Sequence, residues 1–127
     1  MEIDSPAQKK EILDLFIKYE EALVSSDLVA LHDFFWDSPL TLRYGVADQQ
    51  NGIKEITKWR AEQPPLPPGR SLSETRVTTF GENTAVVNTL FQYPSSDQLG
   101  RQSQTWIRMA GEWKIVSAHV SVITPAP

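Results

Sequence analysis

The residue whose chemistry first needs a reason is Arg43. In Leu40-Thr41-Leu42-Arg43-Tyr44-Gly45 the apolar Leu40, Leu42 and Tyr44 alternate with Thr41, Arg43 and Gly45, the period of a strand. One side of that strand is apolar, and the other carries a single guanidinium. Such a charge is rarely buried without an anion. Arg43 therefore either faces water or a glutamate, or waits in a pocket for a ligand carboxylate, which its planar fork would hold by two parallel hydrogen bonds. Tyr19 is the second candidate. It falls on an apolar stripe at helical spacing, where its ring is core material but its hydroxyl needs a partner. A backbone carbonyl is the commoner partner. A pocket would make the same hydroxyl a proton donor, or a hydrogen-bond donor to an oxygen gaining charge.

Ser117, His119 and Ser121 stand at alternate positions of the last β stretch and so share a face. With Gln104 from the neighbouring stretch they could line a pocket as neutral hydrogen-bonding groups. A Ser–His nucleophilic pair lacks an obvious acidic residue to orient the imidazole. Arg60 and Arg70 are candidates for a second cation, while Arg76, Arg101 and Arg108 read as solvated. Trp36, Trp59, Trp106 and Trp113 read as core rather than as a stacking platform. The two histidines, His32 and His119, fall in separate elements, and no His/Asp/Glu cluster has ligand spacing. No Gly-rich phosphate loop occurs either. No metal and no other cofactor is expected.

The elements that must position these residues follow from periodicity. Ser5-Pro6-Ala7-Gln8 looks like a capped helix start. Ile12, Phe16, Tyr19 and Leu23 continue it, with Leu15 beside them. Ser25-Ser26-Asp27 breaks and restarts the chain into a short helix through Leu28, Leu31, Phe34 and Phe35. After the Arg43 strand, residues 47–52 read as a polar turn. A third helix carries Ile53, Ile56, Trp59 and Arg60. It stops before Pro64-Pro65-Leu66-Pro67-Pro68-Gly69, a stiff exposed loop. From Arg70 the pattern is β: residues 71–80, 84–93, 100–109 and 113–123, the last two joined as a hairpin about Ala110-Gly111-Glu112. Helices followed by an antiparallel meander make this an α+β fold, with helices on one face of a curled sheet.

The chain has 127 residues, 40% hydrophobic and 22% charged, so one soluble globular domain over 1–127 is expected. A net charge of −4 without a basic run argues against nucleic acid. No cysteine is present, which removes disulfides, thiolate metal sites and a thiol nucleophile. The acidic start lacks the apolar core of a signal peptide, and no apolar run approaches membrane length. A cytoplasmic protein with no membrane contact is expected.

This order of elements resembles the nuclear-transport-factor-2-like cone fold, which the SnoaL-like and ketosteroid-isomerase-like families share. Within it, Phe34-Phe35-Trp36, Leu42-Arg43-Tyr44-Gly45, the span from Gly52-Ile53 to Trp59-Arg60, and Gly100 to Trp106 with Trp113 to Ser121 resemble the AtzH-like family over nearly the whole chain. The resemblance implies a small protein encoded beside amidase-type hydrolases of nitrogen-compound catabolism. It implies conversion of 1,3-dicarboxyurea to allophanate by removal of one carboxylate. A pocket tyrosine on the first helix and a pocket arginine on the first strand match Tyr19 and Arg43.

Two classes of function follow. The first, which is favoured, is a cofactor-free hydrolase or decarboxylase of a small carboxylated urea or ureide. Arg43 would bind a carboxylate and Tyr19 would donate, with Arg60, Arg70, Gln104, His119 and Ser121 as substrate-binding candidates. The second is a non-catalytic small-molecule-binding or accessory module of a partner amidase. A ketosteroid-isomerase-like reaction would need a buried carboxylate base. Asp37, beside a proline turn, reads better as a cap. The fold's usual need to cover a strand edge, and the apolar stretches of Thr84 to Phe91, suggest a homodimer.

Overall fold

Pro6 opens the first helix, α1 (Pro6–Val24), in a computed structural model that describes residues 1–127. Its fixed φ suits the first helical turn. Ile12, Phe16, Tyr19 and Leu23 are all buried, as their spacing predicts. The expected capping box does not form. Ser5 makes no side-chain cap, and Gln8 bonds Arg108 on the sheet instead. Glu20 is a carboxylate on the buried stripe, one turn beyond Phe16. The second helix, α2 (Leu28–Phe34), starts at Asp27, whose carboxylate accepts from the Ala30 amide at 3.1 Å.

The first strand, β1 (Leu42–Tyr44), turns its polar side inward. Thr41 and Arg43 are 0% and 8% exposed, whereas Leu40 and Tyr44 face solvent. The polar stretch after it is not only a turn. Gln49–Asn51 forms β2, antiparallel to β1, and Gln50 pairs with Arg43. Apolar alternation is the usual signal for a strand. Here the inward positions are polar, so that signal was absent. Gly52 then enters the third helix, α3 (Ile53–Glu62), at φ 92°, a conformation that disfavours a side chain. The helix stops before the proline loop, in which Leu66 alone packs against the core.

Four long strands complete the sheet: β3 (Ser71–Phe80), β4 (Thr84–Gln92), β5 (Leu99–Met109) and β6 (Glu112–Ile123). The strand order is β2-β1-β6-β5-β4-β3, antiparallel except between β1 and β6. The fold is therefore α+β: three helices and a six-stranded, mostly antiparallel curled sheet. Ile12, Phe16, Leu31, Ile56, Trp106 and Ile115 form the core between helices and sheet. The apolar residues of Thr84–Phe91 do not mark an edge. β4 lies inside the sheet, and its Ala85, Val87 and Phe91 are buried. The edges are β2 and β3, and on β3 Asp4 near the N-terminus covers Thr79 by two hydrogen bonds, 3.0 and 3.1 Å. No helix is long and apolar enough to cross a membrane.

One irregularity decides which side chains reach the interior. The β5–β6 register shifts so that Thr105 faces Ser117 while Trp106 faces Ile115, which leaves Val116 as the extra residue of a bulge. Before the bulge Trp113 and Ile115 point in. After it Ala118 does, and Val120 and Val122 follow on the same side. His119 and Ser121 are thereby placed on the outer face, not in a pocket with Gln104. His119 lies exposed and edge-on to Tyr44 at 5.8 Å, and Ser121 accepts from Arg101 Nε at 3.1 Å.

Candidate functional site

A cavity of about 260 Å³ lies between α1, α3, the proline loop and the inner face of the sheet. That is close to the small end of ligand sites, which run from roughly 300 Å³. Leu23, Phe35, Leu66, Phe91, Val120 and Val122 supply apolar wall. Tyr19, Arg43, Arg60, Arg70 and Gln104, expected from the sequence as site residues, all reach it, whereas His119 and Ser121 do not.

Arg43 is held on two sides. Its Nη1 donates to Asp48 Oδ1 at 2.7 Å and to Gln50 Oε1 at 2.9 Å, and Gln50 Nε2 donates to the same Asp48 oxygen at 2.9 Å. Its guanidinium carbon stands 3.8 Å from the centre of the Trp59 ring. Its Nε and Nη2 make no hydrogen bond to the protein, so one edge of the fork is left for a ligand. Burial, and then the like charge of Arg60, lower the Arg43 pKa, with Asp48 opposing both.

Arg60 makes no ion pair. Its guanidinium carbon lies 5.0 Å from the same Trp59 ring, at the cavity wall. Trp59, expected to be plain core, is half-buried and serves as a platform for two arginines.

Arg70 is different. Its Nε donates to Glu20 Oε1 at 2.8 Å, Nη1 to the Tyr93 hydroxyl at 2.9 Å, and Nη2 to Gln102 Oε1 at 3.2 Å. It stacks on Phe91 at 4.2 Å. Burial acts to lower its pKa, but the hydrogen bonds and charge of Glu20 outweigh that, and the net shift is upward. Gln102 Nε2 closes the network on Glu20 at 3.2 Å. The donors of Arg70 are thus engaged within the protein, whereas Arg60, the other candidate for a second cation, has no such partner, and both line the cavity.

Tyr19 is 4% exposed, between Phe16, Phe34 and Phe35, and its hydroxyl makes no hydrogen bond to the protein. Burial raises its pKa, with Arg60 the largest opposing influence. The phenol is therefore protonated at neutral pH. Gln104 Oε1 accepts from Trp106 Nε1 at 3.1 Å, while its buried Nε2 has no partner.

These facts have one common character. Arg43, Arg60, Tyr19 and Gln104 each offer a donor the protein does not use. Three guanidiniums meet two carboxylates, Asp48 and Glu20, so one positive charge is unmatched. No Asp, Glu or His lines the cavity. Asp37 is exposed and lies outside it, which leaves an isomerase-type base without a residue. No group of three or more His, Asp or Glu is placed to hold a metal.

Asp48, Gln50, Trp59 and Glu20 are the participants sequence reasoning missed. Asp48, just before the unrecognised strand β2, and Gln50 within it both accept from Arg43 Nη1. Glu20 could have been found as the one carboxylate on the buried stripe of α1.

A family model described as AtzH-like matches residues 1–126. A cystatin-like fold protein from Burkholderia xenovorans LB400 is 44% identical, with a TM-score of 0.96 over 100% of this chain and 99% of that one. A protein of unknown function, of the DUF3225 family, from Pectobacterium atrosepticum SCRI1043 is 36% identical, with a TM-score of 0.93 over 96% and 95% of the two chains. An NTF2-like protein of unknown function from Pseudomonas putida KT2440 shares the fold at 17% identity, with a TM-score of 0.77 over 92% and 87%. No curated protein matches.

Proposed function

The chain belongs to the AtzH-like family, and from that premise we propose that it removes a carboxylate from a small carboxylated urea of the 1,3-dicarboxyurea type without a cofactor. The observation that carries this reading is the set of donors on the cavity lining that the protein leaves unused, on Arg43, Arg60, Tyr19 and Gln104, with no carboxylate among the lining residues. Such a lining suits an acceptor-rich anion.

Arg43 receives one carboxylate on Nε and Nη2, and Arg60 faces the other. Tyr19 gives its phenolic proton to the urea nitrogen as the bond from that nitrogen to the departing carboxylate carbon breaks. The bonding pair stays on nitrogen, carbon dioxide leaves, and allophanate remains. The phenolate is flanked by Arg60 and Arg43 until solvent reprotonates it. Direct loss of carbon dioxide fits better than attack by water, because no carboxylate or imidazole is in place to activate one.

The test is carbon dioxide release from freshly generated 1,3-dicarboxyurea, with the uncatalysed background subtracted and Arg43→Ala as control. Acceleration by the parent and not by the variant is the expected result. Saturable binding without acceleration would make the protein a binding module instead.

A further inference from the structure

We infer that Gln104 reads the neutral carbonyl of the ligand, and that Trp106 fixes the amide in the orientation that does so. The inference rests on the carboxylated-urea reading of the cavity and adds a selectivity to it: ureido ligands are accepted and guanidino ligands refused. Gln104 is 2% exposed on the inward side of β5, in register with Val87 on one neighbour and Ala118 on the other. Two residues on, Trp106 is fully buried on the same face. An indole nitrogen can only donate. Its bond to Gln104 Oε1 therefore decides which end of the amide is which, since a flipped amide would set N–H against N–H. The Nε2 end is left with two hydrogens, buried beside the cavity and bonded to nothing. Buried donors are nearly always satisfied, and one that is not calls for a reason.

Gln102 provides the comparison within the same strand. It faces the same way, is 5% exposed, and has both ends occupied, by Arg70 and by Glu20. Two glutamines on one strand face thus have different tasks. Gln102 closes an ion-pair network, and Gln104 presents a donor.

The ligand atom that fits is an uncharged sp² oxygen. In a carboxylated urea that is the urea carbonyl, which lies between groups that Arg43 and Arg60 can hold. A guanidino group puts N–H in the place of that oxygen. It would set donors against Gln104 and a cation against two arginines. Discrimination of this kind is large, because the wrong ligand leaves buried polar groups unpaired.

The experiment is calorimetric titration of the purified full chain with hydantoate, guanidinoacetate and butyrate. These are stable carboxylates carrying a ureido, a guanidino and an alkyl group. The parent is expected to bind hydantoate at least tenfold more tightly than either of the others. Gln104→Glu keeps an acceptor for Trp106 and removes the N–H donors. It should lose at least tenfold for hydantoate and narrow or reverse the gap to guanidinoacetate. Gln104→Met, which adds no buried charge, should lose the hydantoate preference over butyrate while keeping Arg43-dependent butyrate binding. Thermal melts confirm that both variants fold. An unchanged hydantoate preference in folded Gln104→Met overturns the role of Gln104 and leaves the carboxylate site standing. Failure of the parent to bind any of the three overturns the carboxylate reading and this inference with it.

Discussion

The guanidinium of Arg43 lies 3.8 Å from the centre of the Trp59 ring, so the arginine on β1 is held in place by an aromatic on α3. Arg60, the next residue along that helix, uses the same ring at 5.0 Å. One indole thus lies against two cations whose like charges still repel. Trp59→Leu keeps apolar bulk and removes the π face. A cation–π contact of about 0.5–2 kcal/mol corresponds to roughly two- to thirtyfold in affinity. Carboxylate binding should weaken within that range, as measured by titration, with both arginines intact. Unchanged affinity would mean that Asp48 and Gln50 position Arg43 alone.

Gly45 backs directly onto the same cation. A Cβ there would stand 2.8 Å from Arg43 Nη1 and 2.8 Å from Asp48 Cγ. Gly45→Ala should therefore push the pair apart without altering any polar group. Overpacking of this kind costs about 1–3 kcal/mol. The expected result is a lower melting temperature together with about tenfold weaker carboxylate binding. A variant that melts lower but binds as before would show that the pair shifts as a unit.

Tyr19 gives a prediction about pH. Burial raises the pKa of its phenol above the usual 10.0, so the folded protein holds the proton where the unfolded chain releases it. The contribution to stability is complete below pH 10 and is lost as pH rises above it, towards the folded value. Tyr19→Phe should flatten that alkaline decline in a denaturant series and leave neutral stability little changed, because the hydroxyl has no protein partner. Turnover should fall by roughly 10²–10⁴-fold, the usual share of a general acid. Unchanged turnover would remove the proton-donor role.

The helices, β4 and β6 were legible because most of their buried positions are apolar and periodic, whereas β5 buries Gln102 and Gln104. Ile12, Phe16, Tyr19 and Leu23 announce α1 without help. The site was legible only in part, for the opposite reason. Arg43 and Gln50 face each other on β1 and β2 and are both buried. Polar pairs of this kind erase the alternation that marks a strand, so Gln49–Asn51 read as a turn. The error over His119 and Ser121 has a single cause. They do share a face, as their spacing requires, but one extra residue at Val116 chooses which face, and nothing local to the sequence announces that bulge. Arg60 and Arg70 looked alike as candidates. What separates them is Glu20, fifty positions from Arg70 along the chain and in contact only once α1 packs on the sheet.

That contact carries the last prediction. The Glu20–Arg70 pair is buried, with side chains 10% and 5% exposed, and every strong donor of Arg70 is engaged on Glu20, Tyr93 or Gln102. Breaking a buried pair from one side strands the other charge, at about 3–5 kcal/mol. Glu20→Ala should lower stability by that amount in urea unfolding. Glu20→Met with Arg70→Met should be less destabilising than the sum of the two single changes, because no charge is left behind. The double variant should also keep carboxylate binding, since Arg43 and Arg60 are untouched. Loss of binding in a stable double variant would return Arg70 to the list of ligand cations. Retention would fix its task as tying α1 to the sheet, with Arg43 and Arg60 as the two cations that meet the ligand.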